Sequence, residues 1–296
     1  MEYLPAKHIL IRNKSADWFG TDHTINLYRG CCHGCIYCDS RSDCYGIQEF
    51  DQVRVKADAL RILRNDLERK VRPGIAGLGS MSDPYNPLEQ ELGLTRRAIA
   101  LLDAYGFGAA IATKSDLIVR DADILALMRE HVPVICKITV TTAEEKLAAM
   151  IEPQASPPAR RFAAIRRLSE AGIFTGVLLM PVLPFLEDTT EQVLEVVRQA
   201  AEAGARFVYP AFGMTLRQNQ RMHYLAALER LFPEAGLAER YRRFYGDRYW
   251  CVSPNAKKLW EAFRTACGQM GLLYEMKHIT AAYQHGYCDR QLSFFP

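Results

Sequence analysis

The chain of 296 residues is long enough for one large α/β domain or for a main domain with an appendage. Its 49% hydrophobic and 24% charged residues are ordinary for a soluble globular protein, and no run approaches the roughly 18 uncharged apolar residues a spanning helix needs, so no membrane partner is expected. The net charge of +3 is too small to argue for nucleic acid by itself, but residues 213–296 hold 12 Lys and Arg against 7 Asp and Glu, which puts the whole basic excess in the tail.

Residues 1–23 read as an N-terminal extension. Charged residues interrupt it every few positions, so it carries no apolar run of the secretory kind and a cytoplasmic address is expected. From 24 to 212, short apolar runs alternate with helix-like segments in the pattern of repeated βα units. Six strands are predicted, at Thr24–Tyr28, Ile75–Gly79, Gly108–Thr113, Val134–Val140, Ile173–Met180 and Phe207–Ala211, most of them too apolar for burial on one face only. Between them, stretches such as 56–70, 120–130, 157–172 and 189–204 repeat apolar residues at three and four, as helices do. Six units are too few for the closed eight-stranded barrel. The predicted fold class is therefore α/β, a partial (β/α)6 TIM-like barrel with its active groups at the C-terminal ends of the strands, and a doubly wound sheet is the alternative. Residues 213–296 read as a mostly helical, basic and aromatic-rich C-terminal region that holds 14 of the 30 aromatic residues.

Nine cysteines are an odd number for a disulfide framework, and four of them crowd together as Cys31, Cys32, Cys35 and Cys38. In a reducing compartment that clustering points to metal or redox chemistry. Residues 24–40 read TINLYRGCCHGCIYCDS, so Cys31, Cys35 and Cys38 make a C-x3-C-x2-C loop just after the first predicted strand. A zinc ribbon or finger would bring a second ligand pair about 12–20 residues later, whereas only Cys44 is near. Three close thiolates without a fourth suit a 4Fe-4S cluster with one iron open to chemistry. Cys32 offers a competing C-x2-C-x2-C register, and His33 reads as a loop residue, with metal ligation as its alternative.

The run resembles the signature of the radical SAM superfamily, CxxxCxφC with φ aromatic, matched by Cys31, Cys35, Tyr37 and Cys38. GSMSDPYNPLE (79–89), ATKS (112–115) and EPQASPPARRFAAIRRLSEAGI (152–173) resemble its spore photoproduct lyase-like (DNA repair photolyase-like) subfamily, over residues 22–211 in all. The resemblance implies a barrel of the radical SAM type and a 4Fe-4S cluster on Cys31, Cys35 and Cys38. It implies S-adenosylmethionine (SAM) chelated by the fourth iron and a one-electron reductant such as flavodoxin or ferredoxin. It further implies reductive cleavage of SAM to a 5′-deoxyadenosyl radical that takes hydrogen from a substrate.

Carried over by position, Tyr37 lies by the adenine, Lys114 pairs with the SAM carboxylate and Thr139 is a polar SAM contact. Ser82 and Asp83 stand where the superfamily holds the SAM amino group. Lys114 as an exposed strand-end lysine and Asp83 as a turn former before Pro84 are the alternatives. Spore photoproduct lyase has a hydrogen-donating cysteine in a Cys-Thr-Ser-Asp run where this chain has Ser80-Met81-Ser82-Asp83, so direct reversal of a thymine photoproduct is not supported. Among the remaining cysteines Cys288 is the candidate donor, because a tail can fold back over a barrel mouth. Structural burial is the preferred reading for Cys288 as well as for Cys136, Cys251 and Cys267.

In the tail, Tyr241-Arg242-Arg243-Phe244-Tyr245 and Arg248-Tyr249-Trp250 interleave cations with rings, as single-stranded nucleic-acid surfaces do. A helical cap over the open barrel, with buried aromatics, is the preferred reading. Gln291-Leu292-Ser293-Phe294-Phe295 resembles the peptide with which bacterial DNA-metabolism proteins dock on the sliding clamp, although self-packing is preferred. The competing function is a nucleic-acid or clamp-associated binding protein whose iron-sulfur centre is structural or redox-sensing.

Overall fold

The computed structural model describes residues 2–70 and 72–287. Six strands, β1 (His23–Ile25), β2 (Ile75–Leu78), β3 (Gly108–Thr113), β4 (Val134–Thr139), β5 (Phe174–Leu179) and β6 (Phe207–Pro210), pair in parallel in sequence order. Leu10–Arg12 adds an antiparallel strand beside β1, and the sheet stays open between that edge and β6. Leu273 covers part of the β6 edge, its carbonyl accepting from Val208 N–H at 2.9 Å. The first strand is shorter than predicted. Tyr28–Arg29 leaves it to pair with Arg54–Lys56 in a separate small sheet. Gly30 turns the chain there at φ 83°, and a Cβ on it would stand 2.4 Å from the Gln52 carbonyl oxygen.

Because strand side chains alternate, one set faces the helices and the other the lumen. Ala109, Ile111, Val134, Cys136, Ile138, Val177, Leu179 and Val208 pack with the helical layer in the main core. That layer is α1 (Ala59–Glu68), α2 (Leu94–Ala104), α3 (Ala122–Met128), α4 (Pro158–Glu170) and α5 (Thr190–Glu202). The start of α5 shows how local sequence fixes an element: Thr189 and Gln192 form a capping box, after which Val193, Val196, Val197 and Ala200 are buried at helical spacing.

The C-terminal region is helical, as expected, but it does not act as a single cap. The antiparallel strand pair Gly213–Thr215 and Trp250–Val252 and the two helices between its strands, α6 (Gln218–Leu231) and α7 (Leu237–Tyr245), lie over the cysteine loop, where Tyr224, Leu228, Tyr241 and Tyr245 share a second core with Cys35, Ile36 and Tyr37. Helix α8 (Ala256–Met270) packs beside α5 and extends the outer layer through Leu259, Phe263, Ala266 and Cys267. Helix α9 (Met276–Gln284) fills the opposite end of the barrel. Its Ile279 and Tyr283 meet Phe19, Ile75, Ala110, Ile135 and Phe207, so apolar side chains close the strand-start end of the lumen. Periodicity shows that such helices are amphipathic but not which end of the barrel they cover. No helix among the described residues is long and apolar enough to cross a membrane.

Candidate active site

The cysteine loop is tied to three parts of the chain. Cys31 N–H donates to the Phe50 carbonyl (2.8 Å), Ile36 N–H to the Ile151 carbonyl (3.0 Å) and Gln154 N–H to the His33 carbonyl (3.0 Å). From the C-terminal region, Gln220 Nε2 donates to the Tyr37 carbonyl (3.1 Å), Thr215 Oγ1 to Asp39 (2.8 Å) and Arg217 to both Asp39 oxygens. So held, Cys31, Cys35 and Cys38, all free thiols, line one cavity of about 160 Å³, and Cys32 is not part of its lining. Among the described residues no group of three His, Cys, Asp or Glu converges as a site for one metal ion. A cluster makes no such demand, since each thiolate binds a separate iron at its own corner. The same cavity is lined by Ser82, whose buried Oγ has no hydrogen-bond partner, and an orphaned buried hydroxyl is costly unless a ligand meets it. Soft thiols around a cavity with a waiting polar group fit the cluster and its SAM ligand.

Charged groups surround the thiols. Glu152, 2% exposed, accepts from the Tyr37 hydroxyl, pairs with the buried Arg161 and stands 4.0 Å from Lys114 Nζ. Burial raises the Glu152 carboxyl, but Arg161, Lys114 and the Tyr37 hydrogen bond outweigh it and hold the pKa below the ordinary value. Lys114 Nζ also lies 5.6 Å from the centre of the Tyr37 ring. The Asp83 carboxylate accepts from Thr113 Oγ1 (2.6 Å), Lys114 N–H (2.8 Å) and Tyr85 N–H (2.9 Å), and it lies 3.5 Å from His33 Nδ1. His33 is buried at 3% exposure, and its bond to Cys31 offsets the upward push of burial, so the Cys31 thiol is held below its usual pKa. Arg161 also donates to the Thr139 carbonyl at 3.0 Å, fixing the end of β4.

Beyond the thiols a lumen of about 560 Å³ runs down the barrel. Cys38, Gly79, Ser80, Ala112, Lys114 and Thr139 line both spaces. A more open groove of about 770 Å³ at the other end, lined by Arg129, Phe174 and Tyr287, contains none of the predicted site residues. Tyr37, Ser82, Asp83, Lys114 and Thr139 are thus brought together with the three cysteines. Cys288 lies outside the described residues, as does Gln291–Phe295. Cys136, Cys251 and Cys267 are fully buried. In the aromatic run, Tyr241 and Tyr245 are buried and donate to the carbonyls of Pro184 (2.8 Å) and Val252 (2.6 Å), whereas Tyr249 and Trp250 are exposed.

Four residues escape a reading of the sequence. Glu152 and Arg161 stand in a run that carries the family resemblance, but nothing local shows that they meet Tyr37. His33 looks like a loop residue until Asp83 approaches it. Lys137 had a signal, a lone cation inside the apolar run Val134–Val140.

The Radical SAM superfamily profile matches residues 25–197, and the chain belongs to that superfamily. It is 35% identical over 230 residues to an uncharacterized protein of Mycobacterium tuberculosis, covering 75% of this chain and 67% of that one. An uncharacterized protein of Methanocaldococcus jannaschii is 29% identical over 219 residues, 73% of this chain and 78% of that one. Among solved structures, spore photoproduct lyase complexed with dinucleoside spore photoproduct superposes with a TM-score of 0.66 at 17% identity, over 91% of this chain and 80% of that one. The radical SAM methyltransferase TsrM from Kitasatospora setae, with tryptophan substrate and a SAM analogue bound, gives 0.56 at 12% identity, over 89% and 58%. Both share the fold. Other structures of these two proteins hold AdoMet and a [4Fe-4S] cluster, respectively. The partial barrel and the pair of cofactors expected from the cysteine signature, a 4Fe-4S cluster and SAM, are borne out.

Proposed function

We propose that the chain is a hydrogen-abstracting radical SAM enzyme that works on a group held in the barrel lumen. The observation that carries this is the lining shared by the thiol cavity and the lumen, which sets a ligand at the thiols directly beside a substrate-sized space. When bound, the cluster and SAM supply one-electron cleavage of SAM to methionine and a 5′-deoxyadenosyl radical, which abstracts hydrogen. In this reading Cys31, Cys35 and Cys38 each hold an iron and Ser82 Oγ meets the SAM amino group. Lys114 meets the SAM carboxylate, which requires it to be protonated. Burial lowers its pKa, but Cys35 and Glu152 outweigh burial and the net shift is upward. The Tyr37 ring, locked by Glu152, borders the adenine, and Thr139 offers a polar contact. Asp83 already accepts three hydrogen bonds from the chain, so it acts by positioning Lys114 and His33 more than by touching SAM. The electron comes from an external donor of the flavodoxin or ferredoxin kind.

Nucleic acid is the substrate class we favour. Trp18, Tyr249 and Trp250 are exposed, Trp18 and Trp250 line the lumen, and Arg217 lies 5.2 Å from the Tyr249 ring centre, an arrangement suited to stacking and phosphate contact. With Ser80-Met81 at the place of the donor cysteine, the outcome of hydrogen abstraction differs from photoproduct reversal.

Anaerobic reconstitution is expected to give about four irons per chain, as the cluster type requires. Dithionite with SAM is then expected to release 5′-deoxyadenosine, and Cys31→Ala to abolish both results. Wild-type protein with neither property overturns the proposal, and if it still binds nucleic acid, a binding protein with a structural or redox-sensing centre takes its place. Filter binding at low salt tests the substrate class, and no salt-sensitive retention of DNA or RNA removes it.

A further inference from the structure

Lys137 lies in the middle of β4, where Ile135, Lys137 and Thr139 face the lumen while Val134, Cys136 and Ile138 face the helices. It is 2% exposed and lines the 560 Å³ space below Lys114 and Thr139. Its Nζ stands 4.7 Å from the centre of the Phe19 ring. No hydrogen bond or carboxylate partner accompanies that contact among the described residues, in contrast to Lys114 with Glu152. A lysine amine enclosed in this way without a counter-charge is destabilised in its charged form, and a cation over one ring offsets only part of that cost. Lys137 therefore has the properties of a group whose partner arrives with the ligand. Below it the lumen is closed by Phe19, Ile135, Phe207, Ile279 and Tyr283, so whatever reaches Lys137 must be the end of a ligand and not the middle of a threaded chain.

We propose that Lys137 is the substrate-recognition residue of the lumen, receiving a terminal oxyanion of the substrate, either the end phosphate of a nucleotide unit or a carboxylate of a small molecule. Lys114 serves the cofactor end and Lys137 the substrate end of one space. The proposal rests on the lumen being the substrate chamber, and it adds the chemistry of the group that fills it. Burial lowers the Lys137 pKa to about 7, so in mildly alkaline solution an incoming anion also draws a proton onto the amine. The other titratable groups lining the space are Tyr37, Cys38, Asp39 and Lys114.

The test is isothermal titration of the anaerobically reconstituted protein, before any SAM is added, against inorganic phosphate, thymidine 5′-monophosphate, thymidine and glutarate, with SAM affinity measured in a separate titration. Saturable binding of at least one anion is expected, weakened about tenfold or more in Lys137→Met, with SAM affinity unchanged. At pH 8 the binding enthalpy should vary with the ionisation enthalpy of the buffer in wild type and not in the variant, because only Lys137 takes up the proton. Preference for thymidine 5′-monophosphate over both thymidine and phosphate assigns the nucleotide source, and preference for glutarate the carboxylate. Three results overturn the proposal: no saturable anion binding, equal binding by Lys137→Met, or loss of SAM affinity in that variant. A second measurement guards against misfolding, since removing an unpaired buried charge should leave the melting temperature equal or higher, and a fall would mark the ammonium as a structural fixture. If Lys137-dependent anion binding is found but no 5′-deoxyadenosine, the radical reading fails and the anion site stands.

Discussion

Glu152 sits among Tyr37, Lys114 and Arg161 with almost no solvent, and the value of such a group depends on every partner staying in place. Removing one partner of a buried ion pair leaves the other uncompensated, so Arg161→Met is expected to lower unfolding stability by about 3–5 kcal/mol in urea titrations. Lys137 is the opposite case, a charge with no partner to lose. Its pKa falls from 10.5 in its ordinary state to about 7 in the folded chain, so between those values the unfolded chain binds more protons than the folded one. The resulting penalty is complete below pH 7 and fades as pH rises toward 10.5. The stability advantage of Lys137→Met over wild type is therefore expected to be largest at pH 6 and to shrink steadily by pH 9.5, as measured by denaturant titrations across that range. The cysteine spacing shows in the sequence because its ligands are neighbours along the chain. The hydrogen bond from Tyr37 to Glu152 does not, because it joins residues 115 positions apart.

The turn Asp39–Arg41, directly after the last cysteine, is gripped by the segment Thr215–Gln220, and this makes the C-terminal region part of the site instead of an accessory. The Arg217–Asp39 pair is about 30% exposed on each side, so by itself it contributes little to stability, about 0–1 kcal/mol. Its effect is local: it keeps the loop shut around the thiol cavity. Arg217→Ala is expected to leave the melting temperature within a few degrees of wild type while iron is lost severalfold faster to a chelator, followed by the decay of the cluster absorbance. The repeated βα units could be read from runs of apolar residues, since strands buried on both faces and amphipathic helices each leave a period in the sequence. The grip on the loop could not, because Thr215, Arg217 and Gln220 are ordinary polar residues until the pairing of Gly213–Thr215 with Trp250–Val252 brings them to the turn.

At the scale of the molecule, two C-terminal pieces meet the barrel at opposite ends, α6 and α7 over the cysteine loop and α9 under the strand starts. Ile279 is fully buried in that floor, and Ile279→Ala is expected to lower stability by about 2–5 kcal/mol while leaving iron content per folded chain unchanged, as measured by thermal unfolding and iron assay. Which helix goes to which end depends on contacts across the whole chain, such as Tyr283 Oη donating to the Phe19 carbonyl at 2.5 Å over 264 positions, and these leave no local pattern.

The closed floor also constrains the kinetics. Because the SAM contacts lie nearer the strand ends than Lys137 does, a molecule that comes in over the strand ends to bind at the bottom must enter before SAM and cannot leave until the SAM fragments have gone. Turnover should accordingly follow a compulsory order, with substrate first on and product last off. Initial-rate kinetics are expected to show product competing with substrate, and 5′-deoxyadenosine not competing with it, whereas a random order would mean that substrate enters by the open side of the sheet.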